Sequence, residues 1–291
     1  MKNNLKLFKS LAILAVITGS FLVSSVASAA TSPGMGAANS FVILSSTYSN
    51  SASGTTLNGD LGYTVPPATN PTVNGATQVA NSVYNQAGID QGNALINLNN
   101  QPCSFQFAPG PVDLASDTTH GPVGVYTPGV YCVSGAASIG GGGTITLNGA
   151  GTYIFRMDGE LTTSANSVVV LANGASACDV WWTPTAATTL GANSTFVGTD
   201  IAAAGIAIGS TVNWTGQALA FGGTVSTASD TISTATCTAA RANTPAAPTT
   251  TPGLPDTSNA AIVSQAASTA AMLAAGTAII FGAVYLIRKN R

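Results

Sequence analysis

Between residues 76 and 98 the apolar side chains fall at Ala76, Val79, Ala80, Val83, Tyr84, Ala87, Ala94, Leu95 and Leu98. That spacing puts them on one face of a helix, and Asn74 offers an N-cap. The stripe has the character of a packing face, so the helix is expected to lie against a sheet rather than hold a cofactor. Elsewhere, short runs rich in Val, Ile, Thr and aromatic residues are cut by Gly, Asn and Ser, which predicts strands over 144–147, 152–157, 168–171 and 180–182. Late in the chain the pattern repeats. Phe196, Trp214 and Ile232 recur at intervals of 18, as do Gly198 with Gly216 and Leu190 with Ile208. A period of roughly 20 residues with one strand per side predicts a parallel β-helix, in which each coil stacks its apolar side chains on the next.

Side chains alternate between the interior and the surface of such a coil. If Phe196, Trp214 and Ile232 point inward, the outer face takes Asn193, Thr195 and Val197, then Thr211, Asn213 and Thr215, then Ser229, Thr231 and Ser233. Stacking predicts three columns about 4.8 Å apart from rung to rung. The result is a flat, uncharged grid of hydroxyls, methyls and amides. Asp230 falls inward in this register, which counts against the register unless Asp230 sits where the last coil opens to solvent.

The two ends read as addresses. Lys2, Lys6 and Lys9 precede an apolar run from Leu11 to Val23 and the small-residue site Ala27-Ser28-Ala29, the layout of a signal peptide over 1–29. Residues 30–237 then form the exposed domain. A Pro/Thr/Ala-rich stretch over 238–260 lacks the apolar surface to fold and reads as a stalk. Within 261–291, the uncharged run from Ala266 to Ile287 is long enough for a membrane helix, and Arg288, Lys289 and Arg291 fix its end on the cytoplasmic side. Just upstream, Leu254-Pro255-Asp256-Thr257-Ser258 resembles the sortase sorting signal of cell-wall-anchored bacterial proteins, with Ser258 standing where that signal has Gly. The domain is therefore expected outside the cell, held by the membrane helix or by a sortase acting at Thr257.

Composition narrows the chemistry. Only 6% of residues are charged, against roughly 25% in ordinary soluble proteins. Between residues 30 and 260, Arg156 and Arg241 are the sole basic side chains against ten acidic ones, which excludes nucleic acid as a partner. His120 is the only imidazole, so His-ligated metals and catalytic triads are excluded too. None of Cys103, Cys132, Cys178 and Cys237 is spaced as CxxC, and in an oxidising compartment they are expected to pair. Of three connectivities, Cys103 with Cys132 and Cys178 with Cys237 is favoured, because each closes a self-contained part of the chain.

A set of segments in fixed order carries a family resemblance. It runs from Leu57-Asn58-Gly59-Asp60-Leu61-Gly62 through Gly129-Val130-Tyr131, Gly151-Thr152-Tyr153-Ile154-Phe155-Arg156, Leu161-Thr162-Thr163 and Val170-Leu171-Ala172-Asn173-Gly174-Ala175. It continues with Cys178-Asp179-Val180-Trp181-Trp182, 187–198, Thr199-Asp200-Ile201-Ala202-Ala203 and Gly216-Gln217-Ala218-Leu219-Ala220. In these segments the chain resembles the microbial β-helical ice-binding (antifreeze) proteins. The resemblance implies a mainly β fold, a discontinuous right-handed parallel β-helix of triangular section with one long α-helix alongside. It also implies adsorption to an ice crystal surface through a flat face, with no catalytic residues. Departures are Trp181 for the family's frequent Phe, Gln217 for its frequent Arg, and an atypical loop from Phe105 to His120.

Two other classes compete. A surface adhesin that binds carbohydrate or another cell suits the same anchor, and would need Tyr48, Tyr63, Trp181 or Trp182 exposed in a groove. An exported polysaccharide-cleaving enzyme would need a carboxylate pair; Asp158 and Glu160 read instead as a solvated turn, and Asp113, Asp117 and His120 as a polar loop without calcium-site spacing. The expectation is a monomeric, non-enzymatic ice binder without cofactor or metal.

Overall fold

The computed structural model describes residues 29–237. The leader, stalk, Leu254–Ser258 pentapeptide and apolar C-terminal run expected from the sequence lie outside the described residues. Among those described, no helix is long and apolar enough to cross a membrane.

Strands wind into stacked coils. Gly129–Val133, Ala137–Ile139 and Thr144–Asn148 make one turn; Tyr153–Met157, Leu161–Thr163 and Val168–Ala172 stack on it, each parallel to its predecessor. Val180–Pro184, Thr188–Leu190 and the first half of Thr195–Ile201 follow. Later turns tighten, so that Asn213–Thr227 serves three walls as one strand, bending at Gly216 (φ 154°) and Gly222 (φ 93°). At Gly216 the bend brings backbone against backbone: a Cβ there would lie 1.8 Å from the Gly198 carbonyl oxygen. Glycine removes both the clash and the left-handed penalty.

The β-helix is discontinuous. The early strand Phe41–Asn50 pairs with Asn213–Thr227 on one side and Asp60–Tyr63 on the other, so the first coils are the last rungs of the stack. From the strand Thr77–Val79 at that end, the helix Ser82–Asn99 leads to Phe105–Gln106, which pairs with Gly129–Val133 at the opposite end. The helix buries Tyr84, Ala87, Ala94 and Leu98 against Phe41, Leu44, Val130, Ile154, Trp181, Ile201 and Leu219, covering one wall. Gly88 permits the approach, since a Cβ there would strike the Phe221 ring at 2.4 Å. Its N-cap is Asn81, whose side chain accepts from the Tyr84 N–H at 2.9 Å. Asn74 caps nothing: residues 77–79 are strand, and the Asn74 amide donates to Asn58 Oδ1 instead.

Inside the coil, ring follows ring along the axis: Tyr126, Tyr131, Phe155, Trp182, Phe196 and Trp214, each centroid 4.3–5.3 Å from the next. Both core indoles are satisfied, Trp182 by the Val197 carbonyl and Trp214 by that of Gly198. Disulfides join Cys103 to Cys132 and Cys178 to Cys237.

Candidate functional site

With one wall under the helix, two remain open. On the first, which we call the front wall, register partners run Thr144, Val168, Thr195, Asn213, Thr231, Thr56 and Thr72. Threonine fills five of these seven positions. Thr144, Thr195, Asn213, Thr231 and Thr72 are exposed, and Thr56 and Val168 half-buried. Behind them Ile145, Val169, Phe196, Trp214, Ile232 and Leu57 fill the core, so alternation along each strand fixes which side chains face out. A parallel second column runs Val197, Thr215, Ser233 and Asn58. Here Asn74 donates to Asn58 and Asn58 to Ser233, at 2.7 and 2.8 Å, leaving fewer free polar groups at that end.

The nine residues singled out from the sequence separate in space. Thr195, Asn213, Thr215, Thr231 and Ser233 stand on the front wall, as the alternation requires. Val197 shares their register but is sunk to 6% exposure beside the Trp182 indole. Asn193, Thr211 and Ser229 stack in a column of their own at the corner, with positive φ of 57°, 60° and 61°. Counting by twos carries past the strand end into a turn, where the chain must reverse its twist. Thr211 Oγ1 donates there to Asn193 Oδ1. Thr56 and Thr72 were not legible as members: they come from the other end of the chain, at a spacing of 16 rather than 18.

Asp230 is inward, as its register implies, but it does not mark an opening to solvent. It is fully buried, because the coil containing Thr56 stacks on it. Its carboxylate accepts from the Val212 and Ala228 N–H groups at 2.8 and 2.6 Å, and its carbonyl from Thr56 N–H at 2.8 Å. Burial pushes the carboxyl up, and those two N–H groups oppose the shift.

On the second open wall, the side wall, the central column runs Asp113, Ser138, Thr162, Thr189, Ala207, Ser226 and Ser49. Its side chains are smaller, and it carries the charges of Asp113 and of Glu160, which is exposed beside Thr162. The front wall carries none. Arg156, the only Lys or Arg among the described residues, is occupied at the end of the helix, donating to the Asn99 and Gln101 carbonyls and to the sulfurs of Cys103 and Cys132.

Other chemistries find little footing. Trp181, Trp182 and Tyr48 are buried, Tyr63 is half-buried, and none of the aromatic side chains described is exposed, so no platform for sugar stacking exists among them. No group of three metal-ligating side chains converges among the described residues. A cleft of about 460 Å³ beside the Cys178–Cys237 disulfide is lined by Met35, Trp181, Thr199 and Gln217. Two of its polar side chains are paired: Thr199 donates to Gln217, and Gln217 to the Ala38, Asn39 and Phe41 carbonyls.

The comparisons with known proteins bear on the family and on the fold. The pattern of the Ice-binding-like family matches residues 16–233. The chain belongs to this family. An ice-binding protein of Nostoc sp. (strain HG1) is 28% identical over 234 residues, which is 76% of this chain and 81% of that protein. Among solved structures, an ice-binding protein from the Antarctic ascomycete Antarctomyces psychrotrophicus is 28% identical with a TM-score of 0.63, over 70% of this chain and 98% of that one. One from an Antarctic bacterium of the Flavobacteriaceae is 26% identical with a TM-score of 0.62, over 72% of this chain and 48% of that one. The ice-binding-like assignment thus rests on sequence and on the stacked fold together.

Proposed function

We propose that the chain is an exported, surface-anchored ice binder whose front wall docks on the ice crystal. The observation that carries this reading is the uncharged, uncovered column Thr144, Val168, Thr195, Asn213, Thr231, Thr56, Thr72 with Thr215 beside it. Ice offers neither pocket nor charge, only a periodic array of water. A surface grips it by holding its own ordered water in a matching array. Rungs about 4.8 Å apart, with outward positions roughly 6.6 Å apart along each strand, supply the periodicity. Threonine supplies a methyl that excludes loose water, a hydroxyl that anchors a bound one, and a β-branch that restricts the rotamer. Because the coil sets these groups in advance, little entropy is lost on docking. Between adsorbed molecules the ice front must bulge, and curvature opposes further growth. The leader, stalk and apolar C-terminal run expected from the sequence support display at the cell surface, attaching the cell to ice or guarding it from recrystallised ice.

The test is thermal hysteresis and ice recrystallisation with Thr215→Tyr in an intact fold. Unchanged activity removes the front wall from the proposal. A second reading uses the side wall, favoured by a register that passes unbroken from Ser138 to Ser226 with no central side chain larger than Thr. Loss of activity in Thr189→Tyr but not in Thr215→Tyr would select it.

A further inference from the structure

Arg156 carries the one Lys or Arg charge among the described residues, and no carboxylate there forms an ion pair with it. Its guanidinium lies instead across the Cys103–Cys132 disulfide. Nη2 is 2.9 Å from Cys103 Sγ and 3.1 Å from Cys132 Sγ, while Nη1 donates to the Asn99 and Gln101 carbonyls at 2.5 and 3.0 Å. The two sulfurs differ in access. Cys103 is exposed in the joint between the helix Ser82–Asn99 and the strand Phe105–Gln106. Cys132, in the strand Gly129–Val133, is 4% exposed and belongs to the apolar cluster that contains Leu98 of the helix. A closed disulfide needs no cation. One that opens does, because the departing sulfur takes the electron pair and a negative charge, and a neighbouring cation speeds its departure.

We propose that Cys103–Cys132 is an exchange site that takes up a small exogenous thiol at Cys103, with Arg156 holding the charge of the sulfur that leaves. The incoming thiolate attacks Cys103 Sγ, the accessible sulfur. A new S–S bond forms there as the Cys103–Cys132 bond breaks, and the electron pair of the broken bond goes to Cys132 Sγ. That thiolate stays beside the guanidinium, nearly out of solvent. One disulfide replaces another, so nothing is consumed beyond the thiol itself. Attack by Cys132 on the mixed disulfide runs the step backwards and expels the thiol. The coil fixes this geometry, since Arg156 and Cys132 are direct register partners on adjacent strands. Their neighbours Phe155 and Tyr131 point into the core, so alternation turns Arg156 and Cys132 outward together. The site is on the wall backed by the helix, not on the front wall, and does not depend on the reading given to that wall.

The test uses the full chain and 2-mercaptoethanol, a neutral thiol, with the reaction quenched in acid and the adducts mapped by mass spectrometry. The first adduct is expected on Cys103, with Cys132 as the free thiol. Arg156→Gln should slow the opening of this disulfide about tenfold, the scale of one charge-assisted hydrogen bond, and leave the opening of Cys178–Cys237 unchanged. Arg156→Lys keeps the charge and should retain most of the rate. The sign separates this role from a structural one. If Arg156 only fastened the helix end through the Asn99 and Gln101 carbonyls, its loss would loosen the joint and speed exchange. An unchanged or faster rate in Arg156→Gln overturns the proposal, as does a first adduct on Cys132. If Arg156→Gln does not fold, the position of the adduct decides the site, and a rate in Arg156→Lys as low as about a tenth of the original overturns the part given to the cation.

Discussion

Thr56 and Thr231 come from opposite ends of the domain and are direct register partners on the front wall. Docking on ice should therefore draw on both ends of the chain. Thr56→Tyr and Thr231→Tyr are each expected to remove most of the thermal hysteresis, like Thr215→Tyr; at the exposed Thr231 stability stays within about 0.5 kcal/mol, and at the half-buried Thr56 the loss is larger, about 1 kcal/mol. Ice-affinity partition and a melting curve on the same sample check this. If Thr56→Tyr alone is silent, the docking surface ends at the coil containing Thr231.

Gly216 should tolerate no side chain. Its Cβ would meet backbone at 1.8 Å, whereas at Gly222 (φ 93°) nothing lies within 4 Å. Gly216→Ala is expected to destabilise by more than about 3 kcal/mol, and Gly222→Ala by about 1–2 kcal/mol from backbone conformation alone. Urea unfolding of the two variants gives the comparison, and equal losses would contradict the close packing of adjacent coils.

Thr211 is a β-branched residue held at φ 60°, at a corner where Asn166 and Asn193 on the preceding coils adopt the same hand. Asparagine enters this conformation more readily. Thr211→Asn should therefore raise stability by about 1 kcal/mol, visible as a higher melting temperature. A lower one would mean that the Thr211 hydroxyl, which bonds Asn193 and Ser210, outweighs the backbone.

Asp200 is fully buried, and neither carboxyl oxygen has a hydrogen-bond partner. Burial pushes its carboxyl up to about 7 from 3.8, only partly offset by the nearby Thr188 hydroxyl. Between those values the folded protein holds a proton that the unfolded chain has released. The contribution is complete below the unfolded value and is lost as pH rises through about 7, on the order of 4 kcal/mol in all. Denaturation midpoints at about pH 5 and about pH 8 should differ in this direction, and Asp200→Asn should remove most of the difference. An unchanged slope in that variant would assign the effect elsewhere, with Asp230, also shifted upward, next in line.

Much of this was written in the spacing of the chain. The 18-residue recurrence of Phe196, Trp214 and Ile232 reflects rungs that are direct register partners, and such repetition survives translation into one dimension. What escaped depends on distance or on turns. The coils around Thr56 and Thr72 have other lengths and find their partners only in space. The corner column of Asn193, Thr211 and Ser229 was mistaken for wall because alternation says nothing about where a strand stops; the left-handed preference of Asn was the available signal. The helix began later than its apolar stripe because residues 77–79 continue the sheet, where apolar spacing fits either structure over so short a run.

The discontinuity also sets an order of events in folding. Residues 41–50 are synthesised early, yet one of their two sheet neighbours, 218–227, is made near the end of the domain. Until then that strand edge has no template, and the cylinder cannot close behind the growing chain as a simple spiral would. Completion waits for nearly the whole domain to emerge, so truncations that remove only the last coil should leave the first coils without their seat.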